Sequence, residues 1–183
     1  MLSRAIRRPR SGDEGASAVE FALLFPLFIM LAIGTISAGF AFHTWLTVTH
    51  GAQETSRFAA TLSVDASGGT ATGWLNSVVD RAMSASDLMT DATHAQPGSR
   101  VCVSVVSSMN IPVLNSHVIA TADASGVVSR NYFSGPCPGL ATMSGDYVQV
   151  QVSQPTNFNY VVAANSITVG KASVNRYEAV SLS

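Results

Sequence analysis

The stretch "SGDEGASAVEFALLFPLFIMLAIG", residues 11–34, decides the architecture of this chain. It places one carboxylate, Glu20, inside a run of membrane character. From residue 19 to residue 42 Glu20 is the only strongly polar side chain. Phe21, Leu23, Leu24, Phe25, Leu27, Phe28, Ile29, Met30, Leu31 and Ile33 follow it, and then small and apolar residues 34–42. About 20 such residues cross a hydrocarbon core. A carboxylate at mid-bilayer costs roughly 2.5–3.5 kcal/mol or more, so Glu20 needs a partner or a place near the headgroups.

Upstream, Arg4, Arg7, Arg8 and Arg10 crowd the first ten residues. By the positive-inside rule the N-terminus stays cytoplasmic, and everything after about residue 43 lies across the membrane. A cleaved secretory signal is the rival reading, with Gly39, Phe40 and Ala41 as a small-x-small site. Its apolar core would run only about 7–15 residues, and this run is longer. Pro26 removes one backbone donor and disturbs the bond to the Ala22 carbonyl. Membrane helices tolerate this, and a mild kink is expected.

The whole chain has 183 residues, is 47% apolar and 11% charged, and has a formal net charge of −1. Without residues 1–15 it keeps six basic and nine acidic side chains. No basic stripe is present of the kind nucleic-acid binding requires. The high apolar content excludes a disordered chain.

Beyond the run, Leu46, Ala52, Phe58, Ala59 and Leu62 recur at helical spacing among Gln53, Glu54, Ser56 and Arg57. Trp45 is placed for the membrane interface. One helix over about residues 16–63 is predicted, roughly 70 Å long, half in lipid and half projecting. "DASGGTATG", residues 65–73, breaks it. Residues 73–89 carry Trp74, Leu75, Val78, Val79, Ala82, Met83 and Leu88 at amphipathic spacing, which predicts a second helix packed on a sheet. Strands are expected at 100–106, 117–122, 126–133 and 147–153, with another at 158–164 and a long alternating one at 166–179. Short connections favour antiparallel pairing. The fold class is α+β, with residues 1–15 as a basic leader, 16–63 as the long helix and 64–183 as the domain.

Cys102 and Cys137 lie far from the apolar run. In an exported region such a pair suggests one disulfide; two unrelated buried thiols are the plainer reading. Closing a loop of roughly 35 residues is worth about 4 kcal/mol in the chain-entropy account.

Chemistry is sparse. His43 and His50 share a helix face with Glu54 one turn further on, but two imidazoles and one carboxylate make a poor metal site, and a solvated face is preferred. There is no phosphate loop, metal-spaced cluster or nucleophile elbow. His94 and His117 are expected in loops or strand edges, without an acid–base neighbour. Asp65, Asp80, Asp87, Asp91, Asp123 and Asp146 are scattered singly. No catalytic residue, metal or cofactor is assigned, and an enzyme is not expected.

The N-terminal organisation has a recognisable form. A basic leader ends at Gly15, Ala16 follows, and Glu20 is the fifth residue after the glycine. This is similar to the processing signature of type IV pilin-like proteins. "GASAVEFALLFPLFIMLAIGTISAGFAF" followed by "ETSRFAA" resembles the TadE-like family of tight-adherence (Tad, Flp-type) pilus proteins. "YVQVQVS" and "ITVGKASVNRYE" resemble that family's C-terminal strands more loosely, and residues 64–146 match little. The resemblance implies that a membrane prepilin peptidase cuts between Gly15 and Ala16 and that Glu20 pairs with the new Ala16 amine to set subunit register. Its further implications are the inner membrane, a major pilin and other minor pilins as partners, and no nucleic acid. Gly34 and Ala38 add small-xxx-small spacing for helix packing. The expected role is a minor subunit or assembly component with a periplasmic or extracellular domain. The alternatives are an uncut single-pass scaffold of the inner membrane and a secreted domain behind a cleaved signal.

Overall fold

Helix α1 of the computed structural model spans Asp13–Thr61, 49 residues, and continues through Pro26 without interruption. The structure describes residues 13–63, 71–91, 93–106, 116–140, 146–159 and 164–178. At about 1.5 Å per residue α1 is roughly 73 Å long. Its first half is apolar apart from Glu20, and most of its side chains from Val19 to Phe42 are exposed. Two of the helix's hydroxyls bond its own carbonyls: Thr35 Oγ1 donates to the Ala32 carbonyl and Thr44 Oγ1 to that of Phe40.

The second half of α1 changes character. Val48, Ala52, Thr55, Ser56, Ala59 and Ala60 are buried, one stripe at helical spacing, because this stretch packs on a sheet. Helix α2, Ala71–Ala85, packs beside it. Strands β1 (Arg100–Val106), β2 (Ser116–Ala122), β3 (Val128–Ser134), β4 (Tyr147–Asn159) and β5 (Ala164–Arg176) form one antiparallel sheet in the order β3-β2-β1-β4-β5. Alternation along the strands assigns the faces. Val101, Val103, Val105, Val118, Ala120, Val148, Val150 and Val152 join Trp74, Leu75, Val78, Val79, Ala82 and Met83 in the core under the helices. The opposite face carries Cys102, Ser104 and Gln149, with Ser104 Oγ donating to Gln149 Oε1 at 3.0 Å. The α+β class expected from the sequence is the fold observed.

Several boundaries differ from the sequence expectation. α2 stops at Ala85, short of residue 89, because Asp87 turns left-handed (φ 52°). The Leu88 N–H then donates to the Met83 carbonyl at 2.9 Å and the Asp87 N–H to that of Ser84 at 3.2 Å. This is a Schellman stop, with Leu88 and Met83 both buried beneath it. β3 begins at Val128 because the Asp123 carboxylate holds residues 123–127 in a turn, accepting from the N–H groups of Ser125 (2.8 Å) and Val127 (2.9 Å). Of the strand expected at 158–164, Phe158 and Asn159 belong to β4 and Ala164 to β5, and residues 160–163 lie outside the described residues.

The open end of α1 is closed by the domain. Trp74 Nε1 donates to the Leu62 carbonyl at 2.8 Å, the Tyr177 hydroxyl to the same oxygen at 3.2 Å, and the Glu178 N–H to the Ala60 carbonyl at 2.9 Å. These donors satisfy carbonyls that a helix end leaves without partners. They tie helix, α2 and C-terminus into one unit.

Candidate functional site

Gly15 and Ala16 lie in the first turn of α1, and both are exposed. N–H groups of a first turn have no intrahelical partner, so this turn opens at little cost. A β-carbon placed on Gly15 meets nothing within 4 Å, and the same holds at Gly34 and Gly39. Glycine inside a helix costs about 1 kcal/mol against alanine, and no contact among the described residues accounts for it at these three positions. Glu20 lies four residues after Ala16, hence on the same face, and is exposed. Gly34 and Ala38 sit one turn apart on the apolar half, Gly34 partly buried and Ala38 exposed.

The remaining polar constellations resolve into structure. Glu54 pairs with Arg81 of α2, and the Arg81 guanidinium lies 5.8 Å from the Phe58 ring centroid. Among the described residues no group of three His, Cys, Asp or Glu side chains could hold a metal ion. His94 does have an acidic neighbour, contrary to the sequence expectation. Asp91 Oδ1 accepts from the N–H groups of Thr93 and His94 at 2.8 Å, and His94 Nδ1 lies 3.0 Å from the same carboxylate. Thr93 Oγ1 contacts that same ring nitrogen at 2.8 Å. A nucleophile–base–acid relay needs acid and nucleophile on opposite imidazole nitrogens, so this is a turn motif. The Thr93 amide, then the His94 side chain and amide, hold the Asp91 carboxyl well below the usual carboxylate range. Hydrogen bonds from Ser125 and Val127 lower Asp123 likewise.

His117 sits near the start of β2, between β1 and β3, buried, with Nδ1 2.8 Å from the Gly135 carbonyl oxygen and its ring stacked on Phe133. The segment after β3 thus folds over the helix-free face, where Cys137 is joined to Cys102 of β1 in a disulfide.

Two features escaped the sequence reading. At Gly51, α1 passes so close to the end of α2 that a β-carbon would lie 2.0 Å from Ser86 Oγ and 2.7 Å from Ser86 Cα. A glycine in mid-helix was the available signal. Ser56 Oγ bonds Ser173 Oγ at 2.8 Å and accepts from Asn175 Nδ2, which fixes α1 on β5. Nothing in the local pattern marks those partners.

The structure therefore defines a class: a helix long and apolar enough to cross a membrane, continuing into an α+β head built around its second half. Residues 15–57 match the family model described as TadE-like protein, so the N-terminal helix is TadE-like. The match ends within α1, and α2 and the sheet lie beyond it. Comparison with curated proteins and with solved structures gives no match.

Proposed function

We propose that the chain is a pilin-like minor subunit or assembly component of a bacterial tight-adherence pilus, matured by a prepilin peptidase that cuts between Gly15 and Ala16. In this reading residues 1–15 are the leader, residues 16–63 the anchoring and projecting helix, and residues 64–183 the domain. The chain sits in the inner membrane with its N-terminus cytoplasmic and the α+β head periplasmic, and pilins are its partners.

The observation that carries this is the one-turn spacing of Ala16 and Glu20 on a helix otherwise apolar and exposed. A cut at Gly15 removes the four leader arginines together with Asp13 and Glu14. It creates an α-amine with an intrinsic pKa near 8. That cation would stand at the positive end of the helix dipole, where Glu20 is the nearest acidic side chain left to offset it, in its own chain or a neighbour's. Glycine at the cleaved bond lets a protease approach the backbone. The open space around Gly34, with Ala38 one turn on, suits close approach of another helix.

N-terminal sequencing of the protein extracted from cells tests processing. A start at Ala16 is expected. An intact Met1 overturns the cut and leaves an uncut scaffold; a start at Phe42 leaves a secreted domain. Glu20→Gln is expected to deplete the protein from sheared filaments, and undiminished incorporation refutes the register role.

A further inference from the structure

We propose that the helix-free face of the sheet carries a carboxylate-recognition site: a cleft at Arg100 that takes the end of an acidic side chain presented by another protein. The site is built from this chain's own side chains and does not depend on the pilus reading above.

Register and alternation assemble it. Arg100 of β1 is paired with Ser153 of β4, and Cys102 with Gln151. Side chains two residues apart on a strand share a face, so all four stand on the face opposite the helices. There they line one cleft together with Pro138, which follows directly on the Cys137 joined to Cys102. The disulfide and Pro138 give the cleft a fixed wall. The next strand adds little bulk, since Gly170 lies beside Ser153 and Ala172 beside Gln151.

Charge makes the cleft selective. Arg81 and Arg130 each have a carboxylate partner, Glu54 and Asp80. Arg100 is exposed, and its side chain makes no ion pair or hydrogen bond among the described residues. None of the five strands contains an acidic residue. Asp123, in the turn after β2, has its carboxylate engaged by the N–H groups of Ser125 and Val127. The guanidinium of Arg100 offers a planar fork of donors that matches a carboxylate in two parallel bonds. The Gln151 amide can add one more donor. The Ser153 hydroxyl is already engaged, donating to the Arg100 carbonyl at 3.4 Å. These donors cover the two oxygens of a carboxylate, whereas a tetrahedral phosphate has more oxygens to satisfy than the cleft has donors.

Size sets the kind of ligand. The cleft holds about 70 Å³, against roughly 300–1,000 Å³ for the pocket of a whole small molecule. It admits one functional group, so the carboxylate is carried by something larger that stays outside. An aspartate or glutamate side chain on a partner surface meets that requirement.

The guanidinium Nε–H resonances of the full chain, isotope-labelled on nitrogen and held in detergent micelles with the disulfide intact, read out the site directly. Sodium acetate, the blocked peptide acetyl-Gly-Glu-Gly-amide and inorganic phosphate are titrated in turn at constant ionic strength set with chloride. Arg57, exposed on α1, is the reference for non-specific anion effects. Arg100 is expected to shift saturably with acetate and with the peptide, and not with phosphate. Arg100→Lys, followed at the Gln151 side-chain amide, keeps the charge but loses the fork, and acetate affinity is expected to fall by about tenfold. A linear Arg100 response matching that of Arg57 overturns the site, and unchanged affinity in Arg100→Lys overturns the role of the fork. Tighter binding of phosphate than of acetate overturns the carboxylate assignment. Saturation by acetate but not by the peptide overturns the partner side chain and leaves a site for free carboxylates.

Discussion

Replacing Gly51 by alanine separates two opposed effects that the structure quantifies. On helix propensity alone the change stabilises α1 by about 1 kcal/mol. Against this, the new methyl would stand 2.0 Å from Ser86 Oγ, 2.8 Å from Ser86 Cβ and 2.7 Å from Ser86 Cα. The hydroxyl can rotate away, but the Cα cannot. Ser86 is held by its N–H bond to the Ala82 carbonyl at 3.0 Å and by the Schellman turn that follows it. Overpacking of this kind costs about 1–3 kcal/mol, and contacts with backbone belong at the upper end. The expected net effect is a loss of about 1–2 kcal/mol, a fall in Tm of roughly 2–4 °C per kcal/mol. The assay is reversible unfolding of the full chain in detergent with the disulfide intact, followed by the fluorescence of Trp74, which is wholly buried in the core. Ser86→Gly in the Gly51→Ala background removes the Oγ and Cβ clashes and should recover part of the loss, giving a coupling of at least about 0.5 kcal/mol. If Gly51→Ala is as stable as the parent or more so, the close approach of α1 and α2 is refuted.

Removing the disulfide by paired Cys102→Ser and Cys137→Ser is expected to cost about 2–4 kcal/mol in the same unfolding assay; an unchanged midpoint would show that the segment over the helix-free face is held by other contacts. For Asp91 the sign follows from its lowered pKa. Its contribution is fully present above the unfolded value near 3.9 and is lost as pH falls from there toward the folded midpoint. NMR titration should place the Asp91 midpoint below that of a free aspartate, and Asp91→Asn should remove its share of the acid-side slope; an ordinary midpoint would sink the turn motif.

Much of the fold was legible because it rests on local pattern. The apolar run and its flanking arginines mark α1, the Val-rich alternation marks β1 and β4, and the spacing of Trp74, Val78, Ala82 and Met83 marks the face that α2 buries. The reading went astray where a single residue overrides the periodicity. Asp87 ends α2 through its left-handed backbone, the Asp123 carboxylate delays β3 by bonding the turn's N–H groups, and Asp91 gives His94 the neighbour that its isolation in sequence did not suggest.

The sequence by itself determined the two-part character of the chain and the α+β class, and it sets Gly15, Ala16 and Glu20 close together on one helix, since each depends on residues within a turn or two of one another. Only the tertiary structure decided that the second half of α1 is core of the head, that Gly51 is where two helices touch, and that Arg100, Gln151 and Ser153 line one cleft. Those facts depend on which distant surfaces meet. Contacts such as that between Ser56 and Ser173, 117 residues apart, leave no local trace in the order of amino acids.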